Sequence, residues 1–231
     1  PGTVVCIDSC TNSVRVERKH GLSIVGGRQP VLSASKPEYT NCYVTAVTMN
    51  GTGEFKTVMF TYDPTFDPYG PEAGDVQKWC DDFGVKRSQI VYEKAAKDTK
   101  KYNSESHSHY KYYLNKHKKE FTDIILFHDG GPAFKKNNEY VFEDIVADHY
   151  TLPSAQHGRL SVLDNYLFGI AKTTWRKERS NKNFAMDAVK LIQCIDWVGQ
   201  DSILNMWEYN FLLMEKNLTL QAVEDLMDQG P

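Results

Sequence analysis

The run Ile124-Ile125-Leu126-Phe127 is short, unbroken and apolar, and it leads straight into His128-Asp129-Gly130-Gly131-Pro132. Four consecutive apolar residues leave no polar face, so a strand built from them calls for cover on both sides. The glycine pair and proline then break the chain immediately after a carboxylate. Such a strand belongs in the centre of a sheet flanked by helices.

The rest of the chain agrees. Thr3-Val4-Val5-Cys6-Ile7-Asp8 reads as a buried strand that ends on a carboxylate. Residues 42 to 49 and 55 to 62 read as two more strands, and Asn50-Gly51 between them signals a hairpin. Residues 74 to 83, 105 to 120 and 136 to 146 read as helices, and residues 148 to 152 as a short strand. A longer helix is expected from Leu160 to Arg179, where Leu163, Tyr166, Leu167 and Ile170 recur at helical spacing. Two or three further helices fit between Phe184 and Met227. Three strands, then strands alternating with helices, then a helical end predict an α/β sheet of mixed direction.

Composition narrows the class. The 231 residues carry 27 Lys and Arg against 30 Asp and Glu, a formal charge of −3, which argues against a nucleic-acid coat protein while leaving room for local basic patches. No apolar run approaches the ~20 residues that cross a bilayer, so no membrane partner is expected. The five cysteines, Cys6, Cys10, Cys42, Cys80 and Cys194, are scattered, with no Cys-x-x-Cys pair. They read as reduced thiols of an intracellular protein. The sequence opens on Pro1 with no secretory signal, which reads as an excised domain or processed product.

Three carboxylates occupy informative places: Asp8 and Asp129 at strand ends, and Asp164 in the first turns of the long helix. Strand ends of an open α/β sheet are where ligands collect. Magnesium takes hard oxygen ligands and is held by one or two carboxylates plus substrate phosphates. Two such ions serve an in-line displacement at phosphorus. Cys6 and Cys10 flank Asp8 at even spacing and share its face if the strand continues, as packing beneath the site. His128 neighbours Asp129 but points to the opposite face, as a packed or surface histidine. His107, His109 and His117 read as solvated. Asp63 and Asp67, between prolines, read as turn residues.

Two regions are basic. Residues 94 to 119 hold eight lysines and two acids, with Tyr92, Tyr102, Tyr110, Tyr112 and Tyr113 in or beside them. Lysines on phosphates with aromatic faces on bases is one reading, and a solvated insertion is the other. The second region is 172 to 182. At about 100° per residue, Lys172 and Arg179 fall within a quarter turn of Asp164, which suits a DNA strand entering the site.

The segments Val5-Cys6-Ile7-Asp8, Ile125 to Pro132 and Leu163-Asp164-Asn165 together resemble the catalytic domain of mariner-type DNA transposases, in the ribonuclease H-like retroviral-integrase superfamily. Asp129 and Asp164 are separated by 34 residues, the spacing of the branch with Asp as third member. The likeness covers about residues 1 to 180, with residues 64 to 120 longer than the pattern and read as a lysine-rich insertion. Residues 181 to 231 read as a helical extension of the same domain. The chain departs from the pattern at Ser9, where Glu is common, and at Gly130, where Asn is common.

The resemblance implies a ribonuclease H-like mixed sheet and a divalent-metal-dependent DNA endonuclease. Asp8, Asp129 and Asp164 would be its catalytic and metal-binding triad, with two Mg²⁺ or Mn²⁺ ions as cofactors. Lys172, Arg176, Lys177 and Arg179 would hold DNA. It implies transposon ends and target DNA as partners, compatibility with a homodimer, a DNA-binding domain ahead of Pro1, and the nucleus as compartment if the host is eukaryotic. The alternative is a domesticated, catalytically silent remnant that binds DNA or protein. Asp144, on the expected helix with Val141, Phe142, Ile145 and Val146 as its buried face, and Asp148 compete with Asp164 for the third position.

Overall fold

The computed structural model describes residues 2–13, 40–48, 56–62, 73–93, 107–152, 161–180, 183–198, 202–206 and 208. Asn50-Gly51, Asp63, Asp67, residues 94 to 106, Lys182 and most of the tail beyond 198 lie outside the described residues. No helix among the described residues is long and apolar enough to cross a membrane.

The protein is a mixed α/β fold built on a six-stranded sheet flanked by helices. The strands are β1 (Val4–Ser13), β2 (Thr40–Thr48), β3 (Val58–Thr61), β4 (Ile90–Tyr92), β5 (Ile125–His128) and β8 (Asp148–Thr151), in the order β4-β3-β2-β1-β5-β8. The first three pair antiparallel, β5 runs parallel to β1, and β8 runs parallel to β5. β4 adds parallel to β3 at the far edge. A small hairpin, β6 (Lys135–Lys136) and β7 (Glu139–Tyr140), lies between β5 and β8 in sequence.

Both faces of the sheet are covered. On one, α1 (Ala73–Phe83), α3 (Phe168–Glu178) and α4 (Phe184–Asp196) pack on Cys6, Cys10, Tyr43, Val47 and Met59. On the other, α2 (His107–His117) inserts Tyr110, Tyr113 and Leu114 against Val5, Ile7, Val44, Phe60 and Leu126. α2 contains no acid in its first turn and carries Lys116 in its last, which complements the helix dipole at its C-terminus.

Several sequence expectations change. The strands buried throughout are β2 and β3, whereas β5 alternates, with Ile125 and Phe127 half-buried. Among the described residues only β8 lies beyond β5, so Phe127 finishes its cover by stacking on Tyr150, itself half-exposed. The helix expected over 136 to 146 is absent. Asn137 and Asn138 both take positive φ (55° and 68°), the conformation of a tight hairpin turn, and residues 141 to 145 form turns. Asp144 is therefore not on a helix, although Phe142 is buried and Val141, Ile145 and Val146 pack beside it. The described half of the lysine stretch is a core helix rather than a solvated insertion: His109 is fully buried, stacked on Phe60 at 4.1 Å, and His117 is buried too. With Tyr110 and Tyr113 inside, only Tyr112 of the α2 tyrosines is left exposed.

Ile170 is exposed, contrary to its expected place on the apolar stripe. The cause is a π-helical turn, Leu163–Leu167, leading into α3. In a straight α-helix Leu163 would sit about 140° from Phe168. A π turn takes up one extra residue, leaving about 40°, so Leu163 joins Phe168, Ala171 and Trp175 on one stripe. All four are buried. The gain in packing at that stripe is the physical reason for the irregular turn.

Candidate functional site

β1 does not stop at Asp8. It continues to Ser13, so Asp8 stands mid-strand, largely buried, between Cys6 and Cys10 on the same face. Ser9 N–H donates to its Oδ1 at 2.7 Å. The parallel register pairs Val4 with Ile125, Val5 with Leu126 and Cys6 with Phe127. Carried two residues further, that register sets Asp129 abreast of Asp8.

Asp129 is oriented by its own turn. Gly131 N–H donates to Asp129 Oδ1 at 2.8 Å, and a methyl group on Gly131 would meet both carboxylate oxygens at 3.1 and 3.2 Å. The carboxylate thus occupies the space that a side chain at 131 would fill. Asp164 enters from the π turn, which packs on β1 and β2. Its backbone N–H is capped by the buried Ser161 hydroxyl at 3.2 Å, fixing the start of the helix.

The Cys6 thiol reports how these groups lie. Burial pushes its pKa up first, and the negative fields of Asp8, Asp164 and Asp129 add to the shift. Cys10 is pushed up to about 12, again by burial, with Lys172 opposing and Asp8 and Asp164 adding. The two thiols stay protonated and are buried in the core on the Asp8 face of β1, as the sequence suggests. The carboxylates are not drawn together: among the described residues no group of three or more His, Cys, Asp or Glu side chains is gathered closely enough to hold a metal ion. The donor set nonetheless has the hard-oxygen chemistry that Mg²⁺ or Mn²⁺ takes, and Asp129 has a shaped seat.

The π turn also decides which basic residues join the site. Counting it as one extra residue, Lys172, Arg176 and Arg179 lie within about 40° of Asp164 around the helix, and Lys177 about 120° away. Arg176 and Lys177 are exposed, Lys172 and Arg179 half-buried. Arg179 lies over the Trp175 ring at 5.0 Å, and Trp175 is itself buried, with its indole N–H donating to the Asp187 carbonyl at 2.6 Å. Spacing alone sets Lys172 and Arg179 near Asp164; Arg176 joins them through a backbone irregularity that residue spacing does not announce.

The competitors for the third acid are placed elsewhere. Asp144 pairs with Lys111 of α2 at 3.2 Å. Asp148 opposes Ile125 at the start of β8, while the Asp129 end of β5 is abreast of Thr151.

His128 is packed, as its position on the opposite face implies. It is fully buried among Phe134, Tyr140, Phe142 and His149. Burial, followed by the field of His149, holds its pKa down to about 4. Compared with family models, curated proteins and solved structures, the chain matches none.

Proposed function

We propose that this chain is the catalytic domain of a mariner-like DNA transposase, cutting DNA and transferring strands with two divalent ions. The observation that carries the reading is the parallel register of β1 and β5, which, carried two residues past Cys6 and Phe127, brings Asp129, just beyond the end of β5, abreast of Asp8, while the Asp164 turn packs against β1. The strand order supports a ribonuclease H-like arrangement: three antiparallel strands, then two parallel ones on the β1 side.

Asp8 and Asp129 would share one ion, and Asp164 would complete the other. When bound, the ions supply activation of the attacking oxygen and charge stabilisation at the leaving one. Three like charges repel, and a bound cation would offset that repulsion. Water attacks the phosphorus, the P–O bond breaks, and the freed 3′-hydroxyl serves as the next nucleophile on target DNA. Lys172, Arg176 and Arg179 hold phosphates along the approach, with Lys177 at the outer margin.

A metal-silent remnant that binds DNA or protein is the second reading, favoured by Ser9 standing after Asp8 where Glu is common. A melt with and without Mn²⁺ separates the two: a site filled at about 100 times its dissociation constant adds ~2.7 kcal/mol, and a remnant gains nothing. The assignment of Asp164 is tested by calorimetric Mn²⁺ titration of Asp164→Ala, Asp144→Ala and Asp148→Ala. Loss of a site in the first alone is expected. Loss in Asp148→Ala alone would overturn it.

DNA affinity is expected to fall steeply with salt, because phosphate contacts dominate it. Replacing Lys172, Arg176 and Arg179 together by Ala should lower affinity equally for unrelated sequences and reduce the magnitude of the log–log salt slope by about 2 to 3. Lys177→Ala should change little. If the triple variant binds like the parent, the DNA path lies off this helix.

A further inference from the structure

The turn after β5 is fixed from the far side of the sheet. His128 Nδ1 accepts the Gly130 N–H at 3.0 Å. An amide can only donate, so the neutral ring carries its proton on Nε2 and gives it to His149 Nδ1 at 3.3 Å. The ring cannot readily swing away. Phe134, Phe142 and Tyr140 lie with centroids 4.7, 5.1 and 5.3 Å from it, so the β6–β7 hairpin and the residues around it form its walls. On the strand side, Leu152 N–H holds the His128 carbonyl at 2.7 Å.

Gly130 takes φ +71°, which lets the chain reverse so that the next amide, from Gly131, points back at Asp129 Oδ1. The Gly131 carbonyl in turn receives the Phe134 N–H at 3.0 Å, closing the turn onto the aromatic cluster. His128 and Asp129 thus face opposite sides of the sheet yet are joined through two consecutive amides. An acceptor at the δ position of residue 128 is the only polar feature this linkage asks of that side chain toward the turn.

We propose that His128 is a positioning residue for Asp129: its δ nitrogen anchors the Gly130 amide and thereby sets the Gly131 amide that orients the carboxylate. This rests on the reading of Asp129 as a metal ligand. Groups that orient metal ligands from behind matter on a known scale, about 10- to 100-fold in affinity when removed. The histidine does not touch substrate or ion, and its ring chemistry is not used. The sequence hint is the adjacency of His128 to Asp129. The direction of action, through the backbone of the following turn, is visible only in the structure.

The test uses three variants of the chain. His128→Asn keeps an oxygen near the Nδ1 position, His128→Gln can offer one only near Nε2, and His128→Leu offers none. Amide exchange and ¹⁵N shifts of Gly130 and Gly131 are read by NMR without metal, and Mn²⁺ affinity is read by calorimetry. The expected result is that Asn retains protection of both amides and parent-like Mn²⁺ affinity. Gln and Leu should lose the protection and weaken Mn²⁺ binding about tenfold or more, even where the melting temperatures of all three variants fall alike. Equal amide protection in all variants, or Mn²⁺ affinity that tracks melting temperature alone, would overturn the proposal. If the parent itself takes up no Mn²⁺, the metal reading fails, and the amides still decide whether His128 sets the turn.

Discussion

Asp129→Asn is expected to abolish divalent-metal-dependent nicking of DNA while leaving the fold intact. The loss should be at least about a hundred- to thousandfold, the scale on which removing one preorganised electrostatic group lowers kcat. Two features keep the fold out of the result. The asparagine oxygen can still accept the Gly131 N–H that now reaches Asp129 Oδ1 at 2.8 Å, so the turn survives. Removing one of three like charges around the buried Cys6 thiol also relieves repulsion, so the metal-free melting temperature should hold level or rise. With Mn²⁺ present the order reverses, because only the parent gains from binding. Nicking by purified Asp129→Asn at the parent rate would remove Asp129 from the chemistry.

The core strands could be read from the chain because their patterns are local. Val4 to Asp8, Cys42 to Thr48 and Ile125 to Phe127 all lie in strands of one sheet; the helix expected over 74 to 83 is Ala73–Phe83, and the one expected over 105 to 120 is the shorter His107–His117. Cys6 and Cys10 were placed under Asp8 by alternation alone, since the strand period is two. What failed was governed by tertiary packing or by single residues in unusual conformations. Asn137 and Asn138 form a positive-φ turn that a helical pattern in their neighbours conceals, although two adjacent asparagines are themselves a turn signal. His109 and His117 sit in a lysine-rich stretch yet face inward, because α2 buries one stripe and leaves its lysines on the other side. The π turn is the clearest case. Nothing in the spacing of Leu163 and Phe168 identifies it, yet it brings Arg176 onto the flank where spacing already sets Asp164, Lys172 and Arg179.

The glycine pair after Asp129 separates stability from site geometry, and the two alanine substitutions should give opposite profiles. Gly130 holds φ +71°, where an L-residue costs about 1–2 kcal/mol. Its new methyl would also come within 2.5 Å of Thr151 Cγ2. Thr151 cannot move freely, being paired with His128 in the sheet and contacting the Tyr140 hydroxyl at 3.3 Å, so overpacking adds about 1–3 kcal/mol. Gly130→Ala should therefore melt markedly lower and lose Mn²⁺ binding together with its fold margin. Gly131 differs. Its φ of −55° and ψ of 160° suit any residue and are the conformation favoured ahead of Pro132. Alanine there restricts the unfolded chain, which is worth about 0.4–1 kcal/mol where the native backbone fits. Its methyl, however, presses on both oxygens of Asp129 at 3.1 and 3.2 Å, so the carboxylate must turn out of its seat. The expected outcome for Gly131→Ala is a melting temperature unchanged or slightly raised and Mn²⁺ affinity lowered about tenfold, as for other losses of ligand orientation. Parallel thermal melts and calorimetric titrations measure both. Parent-like Mn²⁺ affinity in Gly131→Ala would show that the orientation of Asp129 is not what the glycine protects.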